Sequence, residues 1–562
     1  MKDLYRCLDG YIPELLQALT ALWGAAPAGE ESQALVAALA EAMLEPQNIE
    51  RVLATLSPEA REALQDVVRA GGALPGQRLA LRYGGVRRLG PARLAREQPW
   101  RQPQNALEEL LYKGLLFRAY DTIGDYYGEV LFLPPQLLQR LPAWLAEPPT
   151  WDFQPVPAPE RARQDGPALA EDLCLILVRC RQGQVRLAGP GDPAKMAWPA
   201  LMELDWGPRL AGKGSGARMS LLWRLLWRLG LVQHVRGSLQ PSPKAREWLR
   251  LPDGPRHKGL FLAWRQDEGW DELRLLPSVR CEEIGWKNDP VAARRAFLEV
   301  LAHCPGETWL SVEALLQLLR RRRPDFLRSE GDFAGWYIRD AQTGAFLRGL
   351  EAWEQVEGAW ARYVLSGPLR WLGMVAIGYE ADERPTAFRL TALGTALLQD
   401  RPLKSFPAEP AQIDEDLTIT IPLANTLYER YQLERLAEWR ETTASQAVYQ
   451  LTAASVWRSQ AAGIKLEQIL GFLRRISRDR VPPSAAQTLQ AWGEWFRRVA
   501  LRRATLLQTA DEKTLDQLLA RPELRELLGA RLSPTLCLIA EEHVEALAER
   551  LQALGIWPQL SL

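Results

Sequence analysis

Hydrophobic positions along the chain repeat one arrangement three times. An apolar-spaced helix ends at a glycine, and a short strand, a turn, a second strand and a short helix follow. The three stretches are residues 107–141, 221–249 and 364–398. Apolar residues alternate along the strands of the first and third stretches, and the second hairpin is more degenerate. In each stretch the glycine fits a left-handed C-cap.

This order is typical of the recognition helix and wing of a winged helix-turn-helix domain. Helical patterns at 57–72, 167–183 and 291–324 supply the preceding helices, and Ser57-Pro58 is a typical helix start. We therefore predict three winged-helix-like units. The alternative is three unrelated modules that mix helices and strands.

The last 160 residues follow a different pattern. Strands are predicted at 417–422, 501–509 and 535–542, and VYQLT at 448–452 leads into a helix that Gly463 closes. Other helices are predicted at about 424–440, 464–477, 484–499 and 543–553.

Proline-rich and polar stretches mark the predicted domain boundaries. The fold class is α+β, mostly helical, with tandem winged-helix-like units and a C-terminal α/β domain. The predicted segments are N-terminal helices with the first unit (1–145), a linker (146–166), the second unit (167–256), an interposed segment with the third unit (257–400), a linker (401–416) and the C-terminal domain (417–562).

The C-terminal domain carries a family resemblance. Its segments ERLAEWRETTASQAVYQLTAASVWRSQAAGIKLEQILGFL, VPPSAAQTLQAWGEWFRRVALRRATLLQT and RLSPTLCLIAEEHVEAL resemble the helicase-associated domain of the N-terminal, non-ATPase part of XPB-type DNA helicases and of many bacterial proteins. The first unit is similar to bacterial members through VRRLGPARLAREQPWRQP and LLYKGLLFR. The resemblance implies an α/β domain that accompanies DNA transactions, and it implies no catalytic residue.

One stretch, GPRLAGKGS at 207–215, spells most of a phosphate-binding P-loop. Gly214 stands where the magnesium-binding hydroxyl belongs, and helix-like patterning precedes the stretch instead of a buried strand. We interpret it as a connector between two helices. The acidic run 414–416 lies before a strand and not at its carboxyl end, so we expect no ATPase core. A nucleotide-dependent enzyme remains a third hypothesis.

Composition argues against several classes of protein. The chain has 562 residues, 69 basic and 69 acidic side chains and a formal net charge of zero, so a nucleic-acid interface must be local. Six cysteines without a CxxC pair and four scattered histidines predict no zinc site and no cofactor. No apolar run is long enough to span a membrane, and we expect a cytoplasmic protein.

Arginine supplies most of the positive charge, and the chain has 22 tryptophans. This pair of residue types suits stacking and phosphate contact, although a GC-rich genome also favours arginine. The densest basic stretch is 78–103, where glycine steps predict a loop. It holds Arg78, Arg82, Arg87, Arg88, Arg93, Arg96 and Arg101. This stretch either binds DNA phosphates or ties one domain to the next.

The second unit adds further DNA-binding candidates. Arg224 and Arg228 lie one helical turn apart, as a recognition helix would present them, or they form the wet stripe of a core helix. Lys213 and Arg218 lie near the start of that helix, and Arg236 lies in its wing. The run at 320–323 is interpreted as charge at a helix end.

Together these features favour a non-enzymatic DNA-binding protein with no catalytic or metal-binding residue. We expect it to hold duplex or forked DNA beside a separate helicase or nuclease. The alternative is a protein-interaction scaffold of winged-helix modules, because fold alone does not determine function.

Overall fold

The chain forms two compact units in the computed structural model. The larger comprises Met1–Glu409 with Pro422–Gln432, and the smaller comprises Pro410–Ile421 with Leu433–Leu562. The structure describes residues 3–26, 29, 31–124, 126–185, 216–235, 238–282, 286, 288–328, 333, 335–381, 383–403, 407–495 and 504–559. Both helices and small antiparallel sheets are present, so the fold is mixed α/β.

The N-terminal part is a helical layer around a three-stranded sheet of order β1-β3-β2. Its elements are α1 (Leu4–Leu8), α2 (Pro13–Trp23), α3 (Ser32–Leu44), α4 (Pro46–Ala54), α5 (Pro58–Arg69), β1 (Ala73–Pro75), α6 (Gly76–Tyr83), α7 (Pro91–Glu97), α8 (Ala106–Tyr112), β2 (Phe117–Ile123), β3 (Tyr126–Phe132) and α9 (Pro135–Leu138). Phe117 and Ala73 both lie opposite Phe132, and all three side chains are buried.

The rest of the larger unit is built around a four-stranded sheet of order β4-β10-β11-β8 and two two-stranded sheets, β5-β6 and β7-β9. Its elements are β4 (Ala162–Arg163), α10 (Ala168–Arg181), α11 (Gly216–Arg228), β5 (Val232–Val235), β6 (Ser238–Pro241), α12 (Pro243–Arg250), α13 (Asp253–Arg265), β7 (Val279–Cys281), α14 (Pro290–Leu301), β8 (Trp309–Ser311), α15 (Val312–Arg322), β9 (Ile338–Asp340), α16 (Ala359–Val364), β10 (Val375–Tyr379), β11 (Pro385–Leu390) and α17 (Ala392–Leu398).

The proline-rich segment 146–166 is more than a surface connector. Its strand β4 pairs with β10, and the backbone N–H of Val156 donates to the carbonyl oxygen of Trp309 in β8 over 2.9 Å. The segment therefore contributes hydrogen bonds at both edges of the four-stranded sheet.

Glycine ends the helix before each predicted hairpin, and the predicted left-handed caps are confirmed. Gly114, Gly230 and Gly373 have φ angles of 72°, 64° and 73°. Only glycine adopts this region without a steric penalty on Cβ. The predicted N-cap is confirmed as well, since the Ser57 hydroxyl accepts the backbone N–H of Ala60.

Tryptophan fills much of the core. The buried indoles are those of Trp23, Trp223, Trp248, Trp264, Trp270, Trp336, Trp353, Trp360 and Trp371. Much of the tryptophan content is therefore explained by packing, because a buried aromatic side chain removes a large apolar area from water.

The C-terminal region has two small sheets of order β12-β13-β15-β14 and β16-β18-β17. Its elements are β12 (Gln412–Ile413), β13 (Thr418–Pro422), α18 (Leu427–Leu436), β14 (Glu438–Thr442), β15 (Gln446–Gln450), α19 (Ala453–Ala461), α20 (Leu466–Ser477), α21 (Pro483–Trp495), β16 (Thr505–Gln508), α22 (Glu512–Leu519), α23 (Pro522–Arg525), β17 (Arg531–Ser533), β18 (Leu536–Ile539) and α24 (Val544–Ala553).

One predicted helix in this region is too long. The helix expected over about 424–440 ends at Leu436, and 438–442 form β14 instead. Trp439 pairs with Tyr449 of β15, and this cross-strand contact outweighs the local helical pattern.

Candidate nucleic-acid interface

The basic stretch 78–103 is largely helical, so the predicted loop is wrong over much of its length. Residues of α6 and α7 and a 3-10 turn at Pro99–Arg101 account for most of it, and only the connection between α6 and α7 is irregular. Its seven arginines fall into two groups. The side chains of one group are held by acids within the fold, and those of the other group are more exposed.

The engaged group joins α6 to the end of α15. Arg82 pairs with Asp66, and its Nη2 lies 3.1 Å from Glu62 Oε1. Its Nε–H also donates to the carbonyl oxygen of Arg321 over 3.1 Å. Arg78 Nε lies 3.0 Å from Asp325 Oδ2. The last two contacts join α6 of the first predicted unit to residues of the third predicted unit.

The arginine run at the end of α15 lies in the same place. Arg322 Nη1 is 2.6 Å from Glu62 Oε1, so Arg322 and Arg82 share one carboxylate. A cavity of about 290 Å³ opens here, lined in part by Arg69, Arg78, Arg82, Arg322, Arg323, Asp66 and Trp151. Two basic stretches that are far apart in the sequence therefore line the same cavity. The sequence did not predict this contact.

Arg87 is held by a buried carboxylate. Its Nε and Nη2 each lie 2.7 Å from an oxygen of Glu108, whose side chain is fully buried in α8. Backbone N–H groups of Arg87 and Gln104 also donate to Glu108. Burial opposes ionisation of Glu108, but these hydrogen bonds outweigh it and lower the pKa of the carboxyl.

The exposed group forms what we term the α7 surface, comprising Arg88, Arg93, Arg96 and Arg101. The side chains of Arg88 and Arg96 are each 76% exposed and that of Arg93 is 62% exposed. Arg101 is exposed too, with no ion-pair partner among the described residues.

Two carboxylates accompany these four arginines. Arg88 pairs with Glu129 at 2.9 Å, and Arg93 and Arg96 share Glu97 at 2.6 and 3.9 Å. The Arg93 hydrogen bond lowers the pKa of Glu97. Exposed ion pairs of this kind are weak and exchange readily, so the guanidiniums remain available to a phosphate.

A cavity of about 410 Å³ adjoins the α7 surface. Leu94 of α7 and Arg118 of β2 both line it, together with Tyr11 and Tyr112. The Nε of Arg118 is buried and has no hydrogen-bond partner among the described residues. Side chains of both α7 and the β2–β3 hairpin therefore line this cavity.

That hairpin presents two tyrosines that sequence reasoning missed. Tyr120 is 70% exposed and Tyr127 is 77% exposed. Tyr127 lies opposite Thr122, two residues along β2 from Tyr120, so both rings share one face with Glu129. Their exposure could have been predicted, because both tyrosines occupy polar positions of strands in which apolar and polar residues alternate.

Three candidates of the second unit, Arg218, Arg224 and Arg228, lie beside acidic side chains of the fold. Arg218 is buried against Asp172 and lies 3.9 Å from Asp165. Arg224 binds Asp267 through Nε at 2.7 Å and Nη2 at 2.8 Å.

Arg228 shares the same acid. Its Nη1 lies 3.7 Å from Asp267 Oδ1, and its Nη2–H donates to the carbonyl oxygen of Gln266 over 2.7 Å. Apolar residues of α11 are buried on most of its faces, so α11 has the packing of a core helix. Lys213, Arg236 and the stretch 207–215 lie outside the described residues.

The part of the chain that the structure describes also bears on other kinds of site. Within that part of the chain, no group of three or more His, Cys, Asp or Glu side chains is placed to hold a metal ion. Among the described helices, none combines the length and apolar character needed to cross a membrane.

Comparison with known families identifies one domain. Residues 412–533 match the family described as helicase conserved C-terminal domain. The match begins at β12 and ends at β17, so it covers residues 417–533 of the helicase-associated domain predicted at 417–562. The chain therefore carries a helicase-associated domain. No curated protein matches the chain.

Proposed function

We propose that this is a non-enzymatic DNA-binding protein that holds duplex or forked DNA through arginine–phosphate contacts, as an accessory to a separate helicase or nuclease. The observation that carries the proposal is the α7 surface, where four exposed arginines face two carboxylates. Guanidinium groups pair bidentately with phosphate, and each neutralised phosphate releases counterions.

Element order supports winged-helix units as the framework of this function. With α7 left aside, the chain order is α5, β1, α6, α8, β2 and β3, and β1 pairs with β3 beside the β2–β3 hairpin. The same order recurs in α14, β8, α15, α16, β10 and β11, where β8 pairs with β11. In the second unit the backbone N–H of Leu239 in β6 donates to the carbonyl oxygen of Val185.

The side chains of α8 argue against DNA contact through the helix that precedes the hairpin. Glu109 of α8 binds Lys113 and the Ser57 hydroxyl, and Glu108 binds Arg87, so both carboxylates of this helix are engaged within the fold. We therefore assign the phosphate contacts to α7 and its flanks. The resemblance of the C-terminal domain to the N-terminal part of XPB-type helicases supports the accessory role.

A charge-matched pair of variants tests the proposal. Arg93 and Arg96 share Glu97, and Arg161 and Arg163 share Glu383 in the same way, at 3.3 and 2.7 Å. Replacing either pair by alanine removes two exposed arginines that share one glutamate. Fluorescence anisotropy with labelled duplex and forked DNA is measured from low to high salt.

We expect the Arg93→Ala/Arg96→Ala protein to bind duplex more weakly, with a salt slope smaller by about 0.9 for each phosphate that the variant no longer neutralises. The Arg161→Ala/Arg163→Ala protein is expected to bind like the wild type. Equal effects of the two pairs would show that overall charge and not the α7 surface matters.

A protein-interaction scaffold is the second candidate function. It is favoured by the acid pairing of Arg78, Arg82 and Arg224 together with the zero net charge. No salt-sensitive binding to duplex, single-stranded or forked DNA, combined with recovery of a stable protein partner, would decide for the scaffold.

A further inference from the structure

A small sheet in the larger unit gathers positive charge in an unusual way. In the β7-β9 pair, Arg280 lies directly opposite Arg339, and Arg339 forms a β-bridge with Phe346 on its other side. Residues directly opposite each other point to the same face of a sheet, and like charges there destabilise the pairing. We term Arg280, Arg339, Arg348, Tyr337 and Phe346 the arginine–aromatic patch.

Charge in this patch is only partly neutralised. Arg339 Nε lies 2.5 Å from Glu282 Oε1, and its Nη1–H donates to the carbonyl oxygen of Gly344 over 3.0 Å. Arg280 and Arg348 are exposed, and neither has an ion-pair partner among the described residues. Among the described residues of the patch, three guanidiniums thus face one paired carboxylate, and this balance suits an anionic partner.

Aromatic rings lie between these charges. Tyr337 is 36% exposed and Phe346 is 38% exposed. The guanidinium carbon of Arg339 lies 3.5 Å from the Phe346 ring centroid, and that of Arg348 lies 4.4 Å from it and 5.8 Å from the Tyr337 centroid. Stacking on a ring uses the face of a guanidinium and leaves its N–H edges for hydrogen bonds.

We propose that the arginine–aromatic patch binds single-stranded nucleic acid. Arg280 and Arg348 contact successive phosphates, and Tyr337 with the guanidinium planes stacked beside it offers a platform for unpaired bases. A duplex keeps its base faces stacked inside the helix, so exposed rings beside unneutralised arginines favour an unpaired strand. This inference deepens the proposed DNA-binding function, on which it rests, by naming a separate surface for the single-stranded part of a fork.

The test uses the full chain and a fluorescein-labelled oligo-dT of about 20 nucleotides, long enough to cover a typical single-strand site. The variants are Arg280→Ala/Arg348→Ala, which removes the unneutralised charge, and Phe346→Leu, which keeps an apolar side chain and removes the ring. Arg161→Ala/Arg163→Ala is the control that removes the same charge elsewhere. Circular dichroism and thermal unfolding establish that each variant is folded.

We expect the Arg280→Ala/Arg348→Ala protein to bind oligo-dT about tenfold more weakly, with a salt slope smaller by about 0.7 for each phosphate that the variant no longer neutralises. Phe346→Leu is expected to weaken binding about fivefold, because it removes the ring on which the guanidiniums of Arg339 and Arg348 are stacked. Arg348→Lys, which keeps the charge but not the planar stack, is expected to restore only part of the affinity.

Several results would overturn the inference. These are no salt-sensitive binding of oligo-dT, an equal loss in the Arg161→Ala/Arg163→Ala control, or a patch that binds polyglutamate as tightly as oligo-dT. Duplex binding measured on the same proteins separates the two proposals. Loss of oligo-dT binding in the patch variants without any duplex binding by the wild type would support the patch and reject the duplex function.

Discussion

Asp267 provides the sharpest test of which arginines are structural. Its side chain is only 2% exposed, yet it receives two hydrogen bonds from Arg224 and one from the backbone N–H of Gly269, and Arg228 lies 3.7 Å away. Asp267→Asn keeps the shape of the side chain and removes its charge. Both guanidiniums then have no carboxylate opposite them at the rim of the core.

The size of the effect follows from this geometry. Removing one partner of a fully buried ion pair costs about 3–5 kcal/mol. About a third of each arginine side chain is exposed, 34% for Arg224 and 36% for Arg228, so water replaces part of the missing interaction. We therefore expect Asp267→Asn to lower the free energy of unfolding by about 2–3 kcal/mol.

The pH dependence has a definite sign. Burial opposes ionisation of Asp267, but the hydrogen bonds from Arg224 outweigh it and lower the pKa of the carboxyl. A lowered pKa means that the stabilisation is present above the pKa of the unfolded chain, about 4, and is lost as pH falls through the folded-state value. The difference between wild type and Asp267→Asn should therefore be full at neutral pH and shrink below about pH 4.

Urea unfolding followed by tryptophan fluorescence measures the change, because Trp223 and Trp227 lie on the same helix as Arg224. Asp400→Asn is the matched control, since Asp400 is 87% exposed and pairs with Lys258 at the surface. This control is expected to leave the unfolding midpoint unchanged, because an exposed ion pair contributes little to stability.

A second pair of measurements refutes or supports the reasoning for α11. The Arg224→Gln/Arg228→Gln protein should be destabilised and should bind duplex DNA like the wild type, once conditions keep it folded. Loss of duplex affinity with an unchanged unfolding midpoint would show that α11 presents its arginines to DNA after all.

Three further predictions concern the core and its caps. Arg328 and Glu357 are a fully buried pair, so Arg328→Met or Glu357→Leu alone should cost about 3–5 kcal/mol and the double variant much less, as a urea double-mutant cycle will measure. Gly373→Ala places Cβ 2.6 Å from a backbone oxygen at φ 73° and should lower the melting temperature more than Gly183→Ala, at φ 70° with open space. Burial raises the pKa of the Cys304 thiol, so alkylation followed by mass spectrometry at pH 8 should label Cys304 only after unfolding in urea.

Local features of the fold were predictable from the sequence. Helix–glycine–hairpin units appeared as predicted at β2–β3, β5–β6 and β10–β11, because alternation, turn residues and left-handed caps are set within a few residues. Elements of the C-terminal domain followed the same rules. The helix expected to reach about residue 440 was wrong, because residues 438–442 pair with β15 after a short turn and the apolar spacing did not reveal this strand.

The candidate site was less predictable because an arginine's role depends on where the fold places acids. Arg78 pairs with Asp325, and Arg430 pairs with Glu171, at sequence separations of more than two hundred residues. No local pattern encodes such a partner. We therefore predicted 78–103 as one site from its many arginines, although only the arginines from Arg88 onward are largely exposed.

A chain with equal numbers of basic and acidic side chains can bind a polyanion only where pairing is incomplete. Buried acids such as Glu108 and Asp267 each hold an arginine in place and neutralise its charge. Incomplete pairing remains on the α7 surface, where three of the four arginines share two carboxylates, and on the β7-β9 sheet, where two arginines lie opposite each other. Both surfaces carry exposed charge that folding alone does not require, because like charges held together weaken the fold unless an anion lies between them.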